Sequence, residues 1–294
     1  MKNPFSNIEG IKVIREEGLA KHTSFNIGGA AQYFVYVYSK KALKSVLKTI
    51  RRRQMRYFII GAGTNLLVSD HGFRGVVLKM GGAFKRMTLR NGLCHCGGGL
   101  LIEEFLNRAM KQGYGGAEFM AGIPGTVGGA IKGNAGAFGN SVSDITERVF
   151  FMDRHGSERT RTKKEVGFSY RRSRITKWEF VTAVDMTLKK QNPKAVLSRL
   201  NQNLRRRQRK HPSGFSAGSF FKNPPGCAAG KLIERCGLKG QSVGDAVVSE
   251  KHGNYILNRG SARAADVLTL AAQIRNKVLA ETGINLEQEV ILLR

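Results

Sequence analysis

The stretch Ala121–Gly139, AGIPGTVGGAIKGNAGAFG, holds seven glycines, four alanines and one proline. Glycine costs roughly 1 kcal/mol per helical position relative to alanine, and it permits positive φ and close approach of a second backbone or a ligand. The segment is therefore expected to be neither a stable helix nor a central strand, but a backbone surface wrapped around something flat or anionic. A flexible linker is the competing reading. Linkers are decorated with serine and charge, whereas Ile123, Val127, Ile131 and Phe138 are placed to anchor this run.

A chain of 294 residues has room for two domains, each with its own core. Hydrophobic residues make up 41%, which excludes general disorder. Met1 to Gly10 carries no apolar run ahead of a small-residue cleavage site, and no stretch reaches about 18 uninterrupted apolar residues. A soluble cytoplasmic protein without membrane insertion is expected, and a monomer. The four cysteines, Cys94, Cys96, Cys227 and Cys236, are too few and too scattered for a disulfide framework. Alternation in a strand would put Cys94 and Cys96 on one face and His95 on the other, with no second ligand pair nearby, so no metal is expected.

The net charge of +28 raises a rival, polyanion binding. Its densest runs, Arg51 to Arg53 and Arg205 to His211, fall in segments of helical pattern without interleaved aromatics on which bases could stack. They read as solvated faces, and nucleic acid is not expected as a partner.

Around the glycine-rich run, apolar spacing predicts strands at Gln32–Tyr38, Tyr57–Ile60, Leu66–Val68, Val76–Met80, Phe84–Leu89, Leu93–Cys96, Arg148–Asp153 and Glu179–Leu188. Helices are predicted at Lys41–Gln54, Leu101–Gln112 and from Pro193 to about Lys210. Beyond the break at Pro212 to Phe215 come a helix near Ala228–Cys236, strands near Ala246–Ser249 and Tyr255–Asn258, a long helix Ala262–Thr282, and a closing strand within Asn285–Val290. Gly61-Ala62-Gly63 is not a dinucleotide fingerprint, because Leu66 stands at the third glycine position and a strand follows where a helix N-terminus is required. The turn is better read as successive backbone N–H groups forming an anion nest, with Thr64 and Asn65 adding side-chain donors.

Thr23 to Gly29, the Gly61–Leu67 turn, Gly122–Gly129 with Asn134–Ala137, Tyr170-Arg171, Ser216–Ser219 with Lys222-Asn223-Pro224, and Leu286–Val290 together resemble UDP-N-acetylenolpyruvoylglucosamine reductase. The motifs occur in that family's order along nearly the whole chain. The resemblance implies an α+β fold with a two-subdomain FAD-binding region of the vanillyl-alcohol-oxidase (PCMH) type plus a C-terminal α+β substrate-binding domain. It places the FAD-binding region at 1–192, split near 80, with residues 284–294 returning to the first subdomain, and the substrate-binding domain at 193–283. The spacing between Tyr170-Arg171 and Ser219 is similar to the shorter subtype, which lacks an inserted tyrosine-bearing loop.

The implied reaction belongs to peptidoglycan precursor synthesis: NADPH reduces FAD, and the flavin passes hydride to the vinyl carbon of UDP-N-acetylglucosamine enolpyruvate. Negative charge then develops on the pyruvyl unit as an enolate, which calls for a fixed cation, and Arg171 offers an always-charged planar fork. By the resemblance Ser219 is the proton donor and Glu289 an orienting or polarising acid; Glu289 helps only if protonated or hydrogen-bonded. FAD is expected on Gly61, Ala62, Gly63, Thr64, Asn65 and Leu66, on Ile123, Pro124, Gly125, Thr126, Gly128 and Gly129, and near Asn134, Ala135 and Gly136. Tyr170, Lys222 and Asn223 are the substrate candidates, the last two for the diphosphate.

Each catalytic candidate has a plain structural alternative: Arg171 is one of forty-nine basic residues, Ser219 could be a turn hydroxyl, and Glu289 could pair with Arg294 at the surface. The chain departs from the family pattern at Lys132-Gly133, where bulkier residues are expected, at Phe215 and at His211. An oxidase of the same superfamily is the second enzymatic reading.

Overall fold

The computed structural model describes residues 3–294; Met1 and Lys2, the start of the stretch scanned for a leader, lie outside the described residues. The chain divides into two interleaved compact units. One comprises the chain up to Arg15, Tyr33–Gly61 and Gly75–Arg205; the other comprises Glu16–Gln32, Ala62–Arg74 and Arg206–Arg294.

The first unit holds two hydrophobic cores. One gathers beneath the helix Lys40–Arg52, where Ala42, Leu43, Val46, Leu47 and Ile50 are buried at helical spacing and meet Tyr33, Val35, Val37, Val76 and Leu78. Ser39 starts that helix by accepting the Ala42 N–H at 3.2 Å, and Arg51 and Arg52 end it where cations suit the helix dipole. The sheet order is Ile11–Gly18, Ala30–Val37, Phe73–Met80, Tyr57–Ile60, the last two parallel with Tyr57 opposite Val76.

The second core lies on a five-stranded antiparallel sheet, ordered Glu158–Thr162, Thr146–Met152, Phe180–Thr187, Leu93–Gly97, Met87–Arg90. Cys94 and Cys96 point into it and are fully buried, while His95 faces outward and bonds Asp185 through Nδ1 at 2.7 Å. The helix Ile102–Lys111 covers this core with Ile102, Phe105, Leu106 and Ala109. Val196 and Leu200, from the first half of the helix Pro193–Lys210, join the same core, so the division between compact units falls within that helix, after Arg205.

The second unit is built on the helix Ala264–Thr282, whose Val267, Leu270, Ile274 and Val278 pack with Phe25, Ile27, Leu67, Phe220 and Phe221. Asp70 caps this helix from far away in sequence: Oδ1 accepts the Ala264 N–H at 2.8 Å and Oδ2 the Ala265 N–H at 3.1 Å. A three-stranded antiparallel sheet, Ser242–Val243, Ala246–Val248, Ile256–Asn258, lies in this unit.

Three expectations are corrected. The glycine-rich run does contain a helix, Val127–Lys132, because Thr126 caps it and Val127, Ala130 and Ile131 bury one face; tertiary packing outweighs the propensity of Gly128 and Gly129. Phe84–Leu89 is not one strand: a 3-10 turn at Gly82–Lys85 precedes the strand Met87–Arg90. The closing strand is Ile291–Leu293, parallel to Leu66–Val68 with Ile291 opposite Leu66, and not within Asn285–Val290.

Candidate active site

In the first unit the glycine-rich run lies along Gly98–Ile102. Gly128 N–H donates to Gly98 C=O at 2.8 Å, Val127 N–H to Leu100 C=O at 2.8 Å, and Ile102 N–H to Gly125 C=O at 3.0 Å. Thr126 Oγ1 accepts the Gly129 N–H at 3.2 Å, and a Cβ built at Gly61 would come within 2.7 Å of the same oxygen. Two segments read separately as cofactor contacts therefore meet at Gly61 and Thr126. Gly98 stands out in the sequence only as part of the triplet Gly97-Gly98-Gly99 at the end of a strand.

The end of the same run holds the turn that carries Arg171. Asn134, at φ 42°, donates from Nδ2 to Ser169 C=O at 2.9 Å and accepts the Ser143 N–H at 3.3 Å. On the other flank buried Ser173 donates from Oγ to Lys132 C=O at 2.9 Å. Ser169 and Arg172 exchange both backbone bonds, at 2.9 and 3.1 Å, which puts Tyr170 and Arg171 at the tip of a tight turn. Arg171 sits at φ 54°, a left-handed conformation that bulky residues avoid and that concentrates at functional sites. Its guanidinium carbon stands 5.8 Å from the centroid of the Tyr170 ring, which is exposed. Burial holds the Lys132 ammonium below its usual range, with Glu179 opposing the shift.

In the second unit the Ala62–Leu66 segment is stitched to the segments that carry Ser219 and Glu289. Gly63 has φ 67°, and a Cβ there would fall 2.0 Å from His22 C=O, so only glycine fits. Ser24 N–H donates to Gly63 C=O at 3.1 Å, and Ser24 Oγ donates to Ser216 C=O at 2.6 Å. Asn65 Nδ2 donates to Glu289 C=O at 3.3 Å, and Ile291 N–H to Asn65 C=O at 3.1 Å. Glu289 N–H in turn donates to Phe220 C=O at 2.9 Å, next to Ser219. Ser219 and Glu289 are both half-buried on adjoining segments.

Lys222 and Asn223 have partners of their own here. Lys222 Nζ pairs with the Glu287 carboxylate, and Asn223 Oδ1 accepts the Ala229 N–H at 3.0 Å at the start of the helix Ala229–Arg235. Among the described residues no group of three or more His, Cys, Asp or Glu is placed to hold a metal ion, and no helix is long and apolar enough to cross a membrane.

These residues fit a flavin dinucleotide. A Cβ at Gly61 would crowd Thr126, so the wall is shaped by the missing side chain, and Gly61 and Ile123–Gly129 carry no acid that would repel a pyrophosphate. Residues 31–160 match the family model described as "FAD binding domain". Fold and site thus define an FAD-dependent oxidoreductase. Residues 209–293 match "UDP-N-acetylenolpyruvoylglucosamine reductase, C-terminal domain". A Symbiobacterium thermophilum protein named UDP-N-acetylenolpyruvoylglucosamine reductase 2 is 40% identical over 95% of this chain and 91% of its own length. The Clostridioides difficile protein named UDP-N-acetylenolpyruvoylglucosamine reductase is 39% identical over 97% and 94%. The crystal structure of the Thermus caldophilus reductase superposes with a TM-score of 0.83 at 35% identity, covering 97% of this chain and 99% of that one. The chain belongs to the UDP-N-acetylenolpyruvoylglucosamine reductase family.

Proposed function

We propose that the protein reduces the enolpyruvyl ether of UDP-N-acetylglucosamine enolpyruvate to UDP-N-acetylmuramate with NADPH, using Arg171, Ser219 and Glu289. When bound, FAD supplies the two-electron carrier that takes a hydride from NADPH and yields it to the terminal vinyl carbon. Arg171 binds the substrate carboxylate and offsets the charge that develops beside it; a guanidinium stays charged at any working pH. Ser219 gives its hydroxyl proton to the carbon next to the ether oxygen. Glu289 orients the enolate as a hydrogen-bonded or protonated acid.

The observation that supports this reading best is the bond from Glu289 N–H to Phe220 C=O at 2.9 Å, which brings Glu289 onto the segment next to Ser219. Tyr170, Lys222 and Asn223 are assigned to substrate, the last two to its diphosphate, and the protein is assigned to the shorter subtype. The FAD-binding region is taken as 1–192 and the substrate domain as 193–283. The enzyme works as a cytoplasmic monomer, and part of its +28 charge draws in an anionic nucleotide sugar rather than nucleic acid. Ser219→Ala should leave flavin bleaching by NADPH within about twofold of wild type and slow reoxidation by substrate by at least ~100-fold, the lower range for a general acid. Equal damage to both half-reactions removes Ser219 from the proton step.

A further inference from the structure

Phe220 and Phe221 are buried next to Ser219, and their segment is paired by two isolated bridges, Ser219 opposite Tyr255 and Phe221 opposite Gln288, with Lys222 N–H also donating to Glu287 C=O at 2.8 Å. One side chain adds to these backbone bonds. Asn254 is 3% exposed. Its Oδ1 accepts the Phe221 N–H at 2.9 Å, and its Nδ2 donates to Phe221 C=O at 2.7 Å. Its own backbone C=O accepts the Phe220 N–H at 2.8 Å. The carboxamide stands where a neighbouring peptide group would stand, acceptor to donor and donor to acceptor. Asn254 is itself tethered, since its N–H donates to His252 Nδ1 at 3.2 Å.

The other edge of the segment carries Glu289. Phe220 C=O accepts the Glu289 N–H at 2.9 Å and, at 3.5 Å, the Val290 N–H as well. The Phe220 carbonyl thus ties this segment to the backbone of Glu289. The Phe220–Phe221 peptide group is therefore shared, its N–H held by Asn254 Oδ1 and its C=O by the Glu289 N–H.

We propose that Asn254 is a positioning residue for the reaction: its carboxamide fixes the plane of the Phe220–Phe221 peptide, and through it the placement of Ser219 and of Glu289. This rests on Ser219 being the proton donor and Glu289 the orienting acid. Asn254 acts through those two residues and touches neither flavin nor substrate. Alanine at this position removes both side-chain bonds. Aspartate keeps the shape, but an ionised carboxylate turns an acceptor toward Phe221 C=O; only the protonated acid restores one donor and one acceptor.

The test uses FAD-loaded protein and three readouts: hydrogen exchange of peptides covering 218–224 and 286–291, flavin bleaching by NADPH, and flavin reoxidation by substrate. Asn254→Ala is expected to speed exchange in both peptides, to leave bleaching within about twofold, and to slow reoxidation by ~100-fold, the scale of an ångström misplacement at a reacting centre. Added to Ser219→Ala, it should slow reoxidation much less than it does alone, since both act on one step. Asn254→Asp, which carries the test if the alanine variant does not fold, should regain reoxidation rate relative to wild type as pH falls. If Ser219→Ala is selective for reoxidation while the folded Asn254 variants reoxidise at the wild-type rate, the positioning role alone is overturned. If Ser219→Ala leaves reoxidation intact, the assignment of the proton donor falls and the positioning role with it.

Discussion

Placing a methyl group at Gly61 tests whether Gly61 and Thr126 form one wall. The new Cβ would lie 2.7 Å from Thr126 Oγ1 and 3.5 Å from its Cγ2, and the first distance is one that real Cβ contacts do not show. The hydroxyl has to swing away, giving up the Gly129 N–H that it accepts at 3.2 Å as N-cap of the helix Val127–Lys132. Loss of a threonine cap costs about 1 kcal/mol. Thr126→Ala should therefore destabilise the apoprotein by about 1 kcal/mol, Gly61→Ala by the same lost cap less the gain from alanine's smaller unfolded-state entropy, and the double variant by no more than Thr126→Ala, because the cap is lost only once. The smaller unfolded-state entropy of alanine affects Gly61→Ala with or without Thr126, so it cancels from the coupling. Urea unfolding of the four proteins measures the cycle. Fluorescence titration with FAD should show weakened binding in Gly61→Ala and in the double variant, since both carry the added methyl at the wall. Additive energies, or unchanged FAD affinity in Gly61→Ala, would refute the shared wall.

Two further outcomes follow from the second unit. Asp70→Ala removes a carboxylate from two N–H groups at the start of the helix Ala264–Thr282 and should cost about 1–2 kcal/mol, with Asp70→Asn losing less; unchanged unfolding midpoints would contradict the cap. Burial, then Arg207, His252, Lys210 and Lys251, lowers His211 to about 4, and burial lowers His252 as well. An unfolded imidazole titrates near ~6.5. The unfolded state then binds more protons between that value and about 4, so stability should fall as pH is lowered through this window. His211→Gln should flatten the decline, and an equal decline in both proteins would contradict the assignment.

Local patterns reveal the elements with one apolar face and hide those at sheet edges. Lys40–Arg52 and Ile102–Lys111 were legible because their buried residues recur at helical spacing. The strands Ile11–Gly18 and Glu158–Thr162 were not foreseen: both are edge strands, and charged residues such as Lys12, Glu16, Arg159 and Arg161 blur the alternation. The helix inside the glycine-rich run depends on burial of Val127, Ala130 and Ile131, a tertiary effect that propensity cannot register. In the site, glycine spacing exposed the segments but not their meeting, since the contact of Gly61 with Thr126 joins residues distant in sequence. Asn254 carries no local signal as a site-shaping residue, and Ser24 shows only as part of the Thr23–Gly29 motif: each works by bonding one backbone segment to another. Lys222 is a diphosphate candidate by its motif and its charge, and its pairing with Glu287 becomes visible only once the two segments lie side by side.

The reductase activity itself is read in an anaerobic absorbance trace of the FAD-loaded protein, bleached with NADPH and then mixed with UDP-N-acetylglucosamine enolpyruvate. Prompt return of the oxidised flavin spectrum with formation of UDP-N-acetylmuramate is expected. A protein that bleaches and then stays reduced in the presence of that substrate would contradict it.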